Sequence, residues 1–180
     1  MKKIKTAWLT ILIFALVLVT CACACANESP EDPLELVNQL IEGGNEDVML
    51  FDYFRQVVGT EEQQGYYEIV LYAMTDEEGK LSDEEVRMDV YTDGGLRSEK
   101  MVSYSVPYEA FTKAMEIADE YEMKTWEDEE DLGALDGCSY VCKFPYASKY
   151  HRVSSDWMPD NGVEAFNAIL EMLQSYIPAS

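Results

Sequence analysis

Histidine is almost absent from this sequence, in which His151 is the only one among 180 residues. A single imidazole excludes the common zinc sites that use several histidines, and a serine or cysteine nucleophile that needs an imidazole base would have to use this one. In a strand, His151, Val153 and Ser155 share a face with about 6.6 Å between alternate residues, which is beyond hydrogen-bond distance. The Gly-x-Ser-x-Gly, Ser-x-x-Lys and His-Glu-x-x-His motifs are also absent. We therefore predict a non-enzymatic protein with no catalytic residue and no cofactor.

Basic residues are scarce as well, with 13 Lys and Arg against 35 Asp and Glu. Three of the basic residues, Lys2, Lys3 and Lys5, lie in a leader segment, so ten basic and 35 acidic residues give a formal charge of −25 from Asn27 onward. Such a polyanion repels phosphate backbones and anionic lipid surfaces, which argues against nucleic-acid binding and means that any attachment to lipid would be covalent. The acidity favours solubility, with cation binding or a basic partner as alternatives.

Cysteine is rare beyond the leader, where only Cys138 and Cys142 occur. If both lie in one strand, four residues at about 3.3 Å each place their Cα atoms roughly 13 Å apart, beyond the ~7 Å limit for a disulfide. We interpret both as small core residues rather than as a bonded pair.

The leader has no apolar run long enough to span a membrane. Its run, residues 7–19, has 13 residues, whereas a transmembrane helix needs roughly 20. The run follows three lysines, which is the arrangement of an export signal. We predict a signal peptide over residues 1–26, a polar tether over 27–33 and one domain over 34–178.

Two interpretations of the leader's end stay open. Its apolar run ends on a cysteine, which resembles the lipobox of bacterial lipoproteins: Cys21 has Leu18 at the third position before it, and Cys23 has the small Ala22 directly before it. The resemblance implies a lipid on Cys21 or Cys23 and a location at the outer face of the cytoplasmic membrane. The alternative is secretion after cleavage at Ala26, because Ala24-Cys25-Ala26 fits the small-x-small pattern.

Hydrophobic periodicity predicts an α+β fold, with an antiparallel meander sheet and amphipathic helices packed on one side. Strand-like runs cover residues 65–75, 85–92, 104–106, 138–144 and 149–154. Residues 48–58 fit a strand or a helix, and we assign a strand. Helices are predicted from Asp32-Pro33, from Pro107 with Ser105 as a cap, and from Asp160 or Asn161.

The apolar stripes indicate which residues face the core. In the run 85–92, Val86, Met88 and Val90 share the buried face, while Arg87, Asp89 and Tyr91 share a wet one. In the last helix the stripe comprises Val163, Phe166, Ile169, Leu170, Leu173, Tyr176 and Ile177. Such a stripe needs a partner surface, and the sheet is the predicted one.

Three local features resemble a group of small uncharacterised lipoproteins of Gram-positive bacteria. They are Trp126 after a helix, Leu135-Asp136-Gly137 before a strand pair, and Met158-Pro159 before a last amphipathic helix. The resemblance implies a surface lipoprotein but no particular activity. The expected partners are envelope or extracellular proteins or glycans, with the membrane reached through the lipid.

An acidic segment at residues 74–85 follows the spacing of a calcium-binding EF-hand loop. Asp76, Glu78, Ser82 and Glu85 fall at oxygen-ligand positions. Position one is Met74, which offers no side-chain oxygen, and the flanks alternate as strands rather than helices. We interpret the segment as a hairpin turn, with a weak calcium-binding module as the alternative.

The main hypothesis is therefore a lipid-anchored, extracytoplasmic binding module at the cell envelope. A hydrolase that cleaves glycan through a carboxylate pair is the enzymatic alternative, and it requires a concave pocket with two carboxyls roughly 5–10 Å apart. Aromatic residues near turns and strand ends could stack on a sugar or a peptide. These are Tyr66, Tyr67, Trp126, Tyr146, Tyr150 and Trp157.

Overall fold

A computed structural model describes residues 34–58, 65–92, 101–126, 137–146, 148–155 and 158–178. The leader with Cys21 and Cys23, the tether, Leu135-Asp136 and Trp157 lie outside the described residues. No helix within the described ranges has the length and apolar character needed to cross a membrane.

The described residues form one six-stranded antiparallel sheet and three α-helices. The strands are β1 (Met49–Val58), β2 (Gly65–Thr75), β3 (Leu81–Thr92), β4 (Met101–Pro107), β5 (Gly137–Tyr146) and β6 (Lys149–Ser154). The helices are α1 (Glu35–Glu42), α2 (Glu109–Glu120) and α3 (Gly162–Gln174), and a short 3₁₀ turn covers Met123–Thr125. The prediction of an α+β fold with a meander sheet is confirmed.

The strand order across the sheet is β4-β3-β2-β1-β5-β6. The first four strands make a meander, and the β5–β6 hairpin is added on the free side of β1. β1 is therefore a central strand, which explains why residues 50–53 are all buried. Leu50, Phe51 and Tyr53 are all buried, so this segment does not alternate apolar and polar residues as a strand with one wet face does, and this is why the sequence left a helix open there.

The core face of the sheet is the face on which the helices pack. It carries Phe51, Tyr53, Ile69, Leu71, Val86, Met88, Val90, Val106, Tyr140, Cys142, Phe144 and Val153. The helices add Val37, Ile41, Phe111, Ala114, Ala118, Phe166, Ile169 and Leu173 to the same cluster. Burial of these side chains is the main contribution to the stability of the fold.

Four local predictions were wrong. Pro107 does not start α2: it is the last residue of β4, and α2 begins at Glu109. Ser105 does not cap α2: it lies within β4, and its hydroxyl donates to Glu85 Oε2 at 2.8 Å. Val163 is 39% exposed because the first turn of α3 begins at the edge of the core, where Ala165 and not Val163 points inward. Asp89 is on the face opposite the helices, as predicted, but it is buried rather than wet, because it lies on an inner strand beside Arg87.

Candidate functional site

The face of the sheet opposite the helices, called the polar face below, carries a row of charged side chains. Strand register places one residue from each strand side by side across the whole sheet. From β4 to β6 this row is Ser103, Asp89, Val70, Asp52, Lys143 and Arg152. Residues directly opposite each other in antiparallel strands have Cβ atoms about 5 Å apart, so Asp52 lies at contact distance from Lys143, whereas Val70 separates Asp52 from Asp89.

Each buried carboxylate on the polar face has a partner. Lys143 Nζ lies 3.3 Å from Asp52 Oδ2, and Arg87 Nε lies 3.3 Å from Asp89 Oδ2. The hydroxyl of Tyr66 donates to Glu68 Oε2. Each of these carboxylates is therefore engaged by a neighbouring side chain and is not a free carboxylate for a substrate.

Arg87 makes several contacts on the polar face, near the edge of the sheet that β3 and β4 form. Its Nη2 atom binds Asp47 Oδ1 at 2.8 Å, and its guanidinium carbon lies 4.4 Å from the centroid of the Tyr72 ring. Burial raises the pKa of Tyr72 to about 12, with Tyr91 and Asp89 adding to the shift. The phenol therefore stays neutral at physiological pH and supplies a ring face for the cation.

An open cavity of ≈ 650 Å³ lies beside this cation. Its lining comes from the end of α1 and the loop after it, from the β2–β3 hairpin, and from residues 103–105 of β4. Ile41, Tyr104 and Met74 give it an apolar part, and Arg87 and Glu46 give it charge. A cavity of this size that joins apolar and charged groups suits a side chain or a small ligand. Among the described lining residues Glu46 is the only carboxylate, so this cavity holds no carboxylate pair for glycan cleavage.

The calcium candidates all lie in the β2–β3 hairpin or at the start of β3, but their oxygens serve the turn itself. Asp76 Oδ1 accepts the backbone N–H groups of Glu78 and Lys80, both at 2.9 Å. Glu78 pairs with Lys80 at 2.7 Å. Ser82 Oγ accepts two backbone N–H groups, and Glu85 accepts the hydroxyl of Ser105. Within the described ranges, no group of three or more His, Cys, Asp or Glu residues is placed to hold a metal ion.

His151 lies on the core face of β6. Its Nε2 atom is 3.2 Å from the carbonyl oxygen of Met123, and its ring contacts Phe144 edge-on with centroids 5.5 Å apart. The side chain is 6% exposed, so its polar atom serves to join the 3₁₀ turn to the sheet.

Cys142 is also on the core face, and it is a free thiol. It pairs in register with Tyr53 of β1 and Val153 of β6 and is fully buried. It is therefore not bonded to Cys138, whose side chain is not among the described ones. The interpretation of Cys142 as a small core residue agrees with this placement.

We expect Cys142 to resist alkylation in the folded protein. Burial raises the pKa of this thiol well above its usual value, and the Asp52 carboxylate adds to the shift. The thiolate is the reactive form, so reaction requires the site to open. Iodoacetamide at about pH 8 should modify Cys142 at least roughly 100-fold more slowly in the native state than in concentrated guanidinium chloride, as measured by peptide mass spectrometry. Equal rates in the two states would show that β5 is not buried.

The aromatic candidates do not form one platform. Tyr66 lies on the polar face, edge-on to Phe54, whereas Tyr67 is packed against the core. Tyr150 donates its hydroxyl to Met49 O at 2.6 Å, and Tyr146 is 40% exposed near His151. Trp126 is buried against Phe166, and its indole N–H donates to Tyr121 O at 3.2 Å. These contacts give most of the rings a structural role.

Two of the three features named for the resemblance, Trp126 and Met158-Pro159, lie at a second, smaller cavity of ≈ 470 Å³. Trp126, Met158 and Pro159 line it together with Tyr121 and Glu122. Glu122 has a left-handed backbone conformation with φ of 53°, which turns the chain from α2 into the 3₁₀ turn. Trp126 and Met158-Pro159 thus support the junction between α2 and α3.

The cavity beside Arg87 and the row of charged side chains on the polar face were not predicted. The sequence signal for them was the charged alternation Arg87-x-Asp89 within a strand, whose meaning depends on which strands become neighbours. Comparison with known protein families, with curated proteins and with solved structures finds no match for this chain.

Proposed function

We propose that this protein is an exported, lipid-anchored binding module that works at the outer face of the cytoplasmic membrane. The observation that carries the proposal is the order of three segments: three lysines before a 13-residue apolar run ending near Cys21 and Cys23, a polar tether, and an acidic domain. A lipid would hold the chain at the surface, and residues 27–33 would keep the domain clear of it.

The binding role is supported by the cavity beside Arg87. It combines apolar and charged lining and lies next to the edge strand β4. The one histidine is enclosed in the core, and the buried acids of the polar face are engaged by neighbouring side chains. The arrangement therefore favours recognition over catalysis, with an envelope or extracellular protein or glycan as the partner.

The anchoring part is tested by the intact mass of the protein from membrane and medium fractions of the producing cell. We expect a diacylglycerol-modified N-terminal cysteine, Cys21 or Cys23, in the membrane fraction. Cys21→Ser and Cys23→Ser variants should identify the cysteine that carries the lipid. Substitution of that cysteine moves the protein out of the membrane fraction, and substitution of the other cysteine serves as the matched control. An unmodified chain beginning at Asn27 in the medium would contradict the anchor and leave a secreted protein.

A further inference from the structure

The strand β4 forms one edge of the sheet and has no strand on its outer side among the described residues. The N–H of Tyr108 donates to the carbonyl of Glu84 at 2.9 Å, directly opposite it in register. Hydrogen-bonded and non-hydrogen-bonded pairs alternate in antiparallel strands, so Val102, Tyr104 and Val106 bond to β3. The alternate residues Met101, Ser103 and Ser105 therefore point their N–H and C=O groups outward.

Within the described part of the chain, this edge lacks the usual protection against pairing. Natural edge strands carry charged side chains, bulges or a covering segment. The other edge, β6, has Lys149 and Arg152 and contacts the 3₁₀ turn. By contrast, β4 has no charged residue in Met101–Pro107, and Met101 and Val102 are 52% and 50% exposed. Only Pro107, at the end of the strand, limits pairing.

We infer that β4 binds an extended segment of a partner protein, one with basic side chains at alternate positions, by adding it to the sheet as a seventh strand. The inference rests on the proposed binding role and names the chemistry of the partner. Main-chain hydrogen bonds to an exposed edge supply affinity in this mode, and pockets for alternate side chains supply specificity. The cavity of ≈ 650 Å³ includes residues 103–105 in its lining, so it is placed to take such a side chain.

Charge selects the partner. Ser105 is hydrogen-bonded to the exposed Glu85, and Ser103 lies opposite Asp89, whose Oδ1 accepts no hydrogen bond among the described residues. Glu46 and Asp47 are exposed near the same end of the sheet. Arg87 is the only cation among the described lining residues and is already paired with Asp47 and Asp89, so these four acids leave a net negative charge that attracts a strand with Lys or Arg on this side. A second copy of the chain would bring another formal charge of about −25 to the same edge, which disfavours self-pairing.

The inference is tested with a blocked synthetic peptide of about eight residues in which lysine alternates with threonine. The protein is purified in the processed form in which the cell holds it, with the detergent it needs. We expect saturable binding by fluorescence anisotropy, and roughly tenfold slower hydrogen exchange in the segment containing Met101–Pro107. The same peptide with glutamate in place of lysine should bind at least about tenfold more weakly.

Ser103→Pro is the informative variant, because it removes an outward N–H without removing a bond to β3. Affinity for the lysine peptide should fall at least about tenfold, whereas the matched Ser103→Ala control, which keeps the amide, should stay within about twofold. If Ser103→Pro does not fold, a lysine peptide with alternate amides N-methylated gives the same test from the ligand side.

Several outcomes would overturn the inference. They are absence of binding by the lysine peptide, equal binding of the glutamate peptide, and binding that N-methylation or Ser103→Pro leaves unchanged. A dimer in sedimentation that Ser103→Pro dissociates would identify a second copy as the occupant instead. All of these measurements are made on the purified protein, so they stand or fall separately from the mass analysis that tests export and lipid attachment.

Discussion

Replacing Phe166 with alanine should lower the free energy of unfolding by roughly 3–5 kcal/mol. Phe166 is fully buried in α3, stacks on Tyr140 with centroids 5.2 Å apart, and receives the edge of Trp126 at 5.9 Å. It therefore joins α3 to β5 and to the segment after α2. Alanine removes both ring contacts and leaves a cavity that a close-packed interior cannot fill without strain.

Chemical denaturation followed by circular dichroism measures this loss, and Val163→Ala provides a control in the same helix. Val163 is 39% exposed, so its truncation should change the free energy of unfolding by less than about 0.5 kcal/mol. The melting temperature of the Phe166 variant should fall by about 10–15 °C. A loss below about 1 kcal/mol would mean that α3 does not pack on the sheet as described.

The burial of Phe166 could be predicted from the sequence. Its helix repeats apolar residues at intervals of three and four, and in β3 Val86, Met88 and Val90 alternate with Arg87 and Asp89. Both patterns arise because one side of an element packs against the apolar core and the other side does not. For that reason the element types, their order and the α+β class could be predicted from local spacing alone.

Neighbour relations between distant strands could not be predicted in the same way. The β5–β6 hairpin pairs with β1, whose registered residues are 79 to 91 positions earlier, and not with β4, which precedes it. Nothing in the local alternation of β5 selects one edge over the other. Asp52 and Lys143 become an ion pair only through this pairing, and β4 becomes an edge for the same reason. The candidate site therefore depends on pairing between strands that are far apart in the sequence, and the local spacing of residues does not predict that pairing.

Removing the Arg87 cation from the candidate site should also lower the free energy of unfolding by a large amount. Arg87→Met leaves Asp89 buried, with its side chain 5% exposed, and without its ionic partner. Leaving one member of a buried pair uncompensated costs roughly 3–5 kcal/mol. We expect about 3 kcal/mol, at the lower end, because the Arg87 side chain is 39% exposed and water screens part of the interaction. The lost contact with the Tyr72 ring adds to this change.

A double-mutant cycle separates the buried charge from the lost packing. Asp89→Asn in the Arg87→Met background should recover more than half of the loss, because no unpaired charge then remains inside the sheet. Lys113→Met is the matched control: Lys113 pairs with Glu109 at 2.8 Å on the exposed surface of α2, and its removal should leave the free energy of unfolding nearly unchanged. If Asp89→Asn recovers nothing, the cost of Arg87→Met comes from packing on Tyr72 and the bond to Asp47. In that case Asp89 would not need its cation, and the attraction of the β4 edge for a basic strand would have to come from Glu46, Asp47 and Glu85 alone.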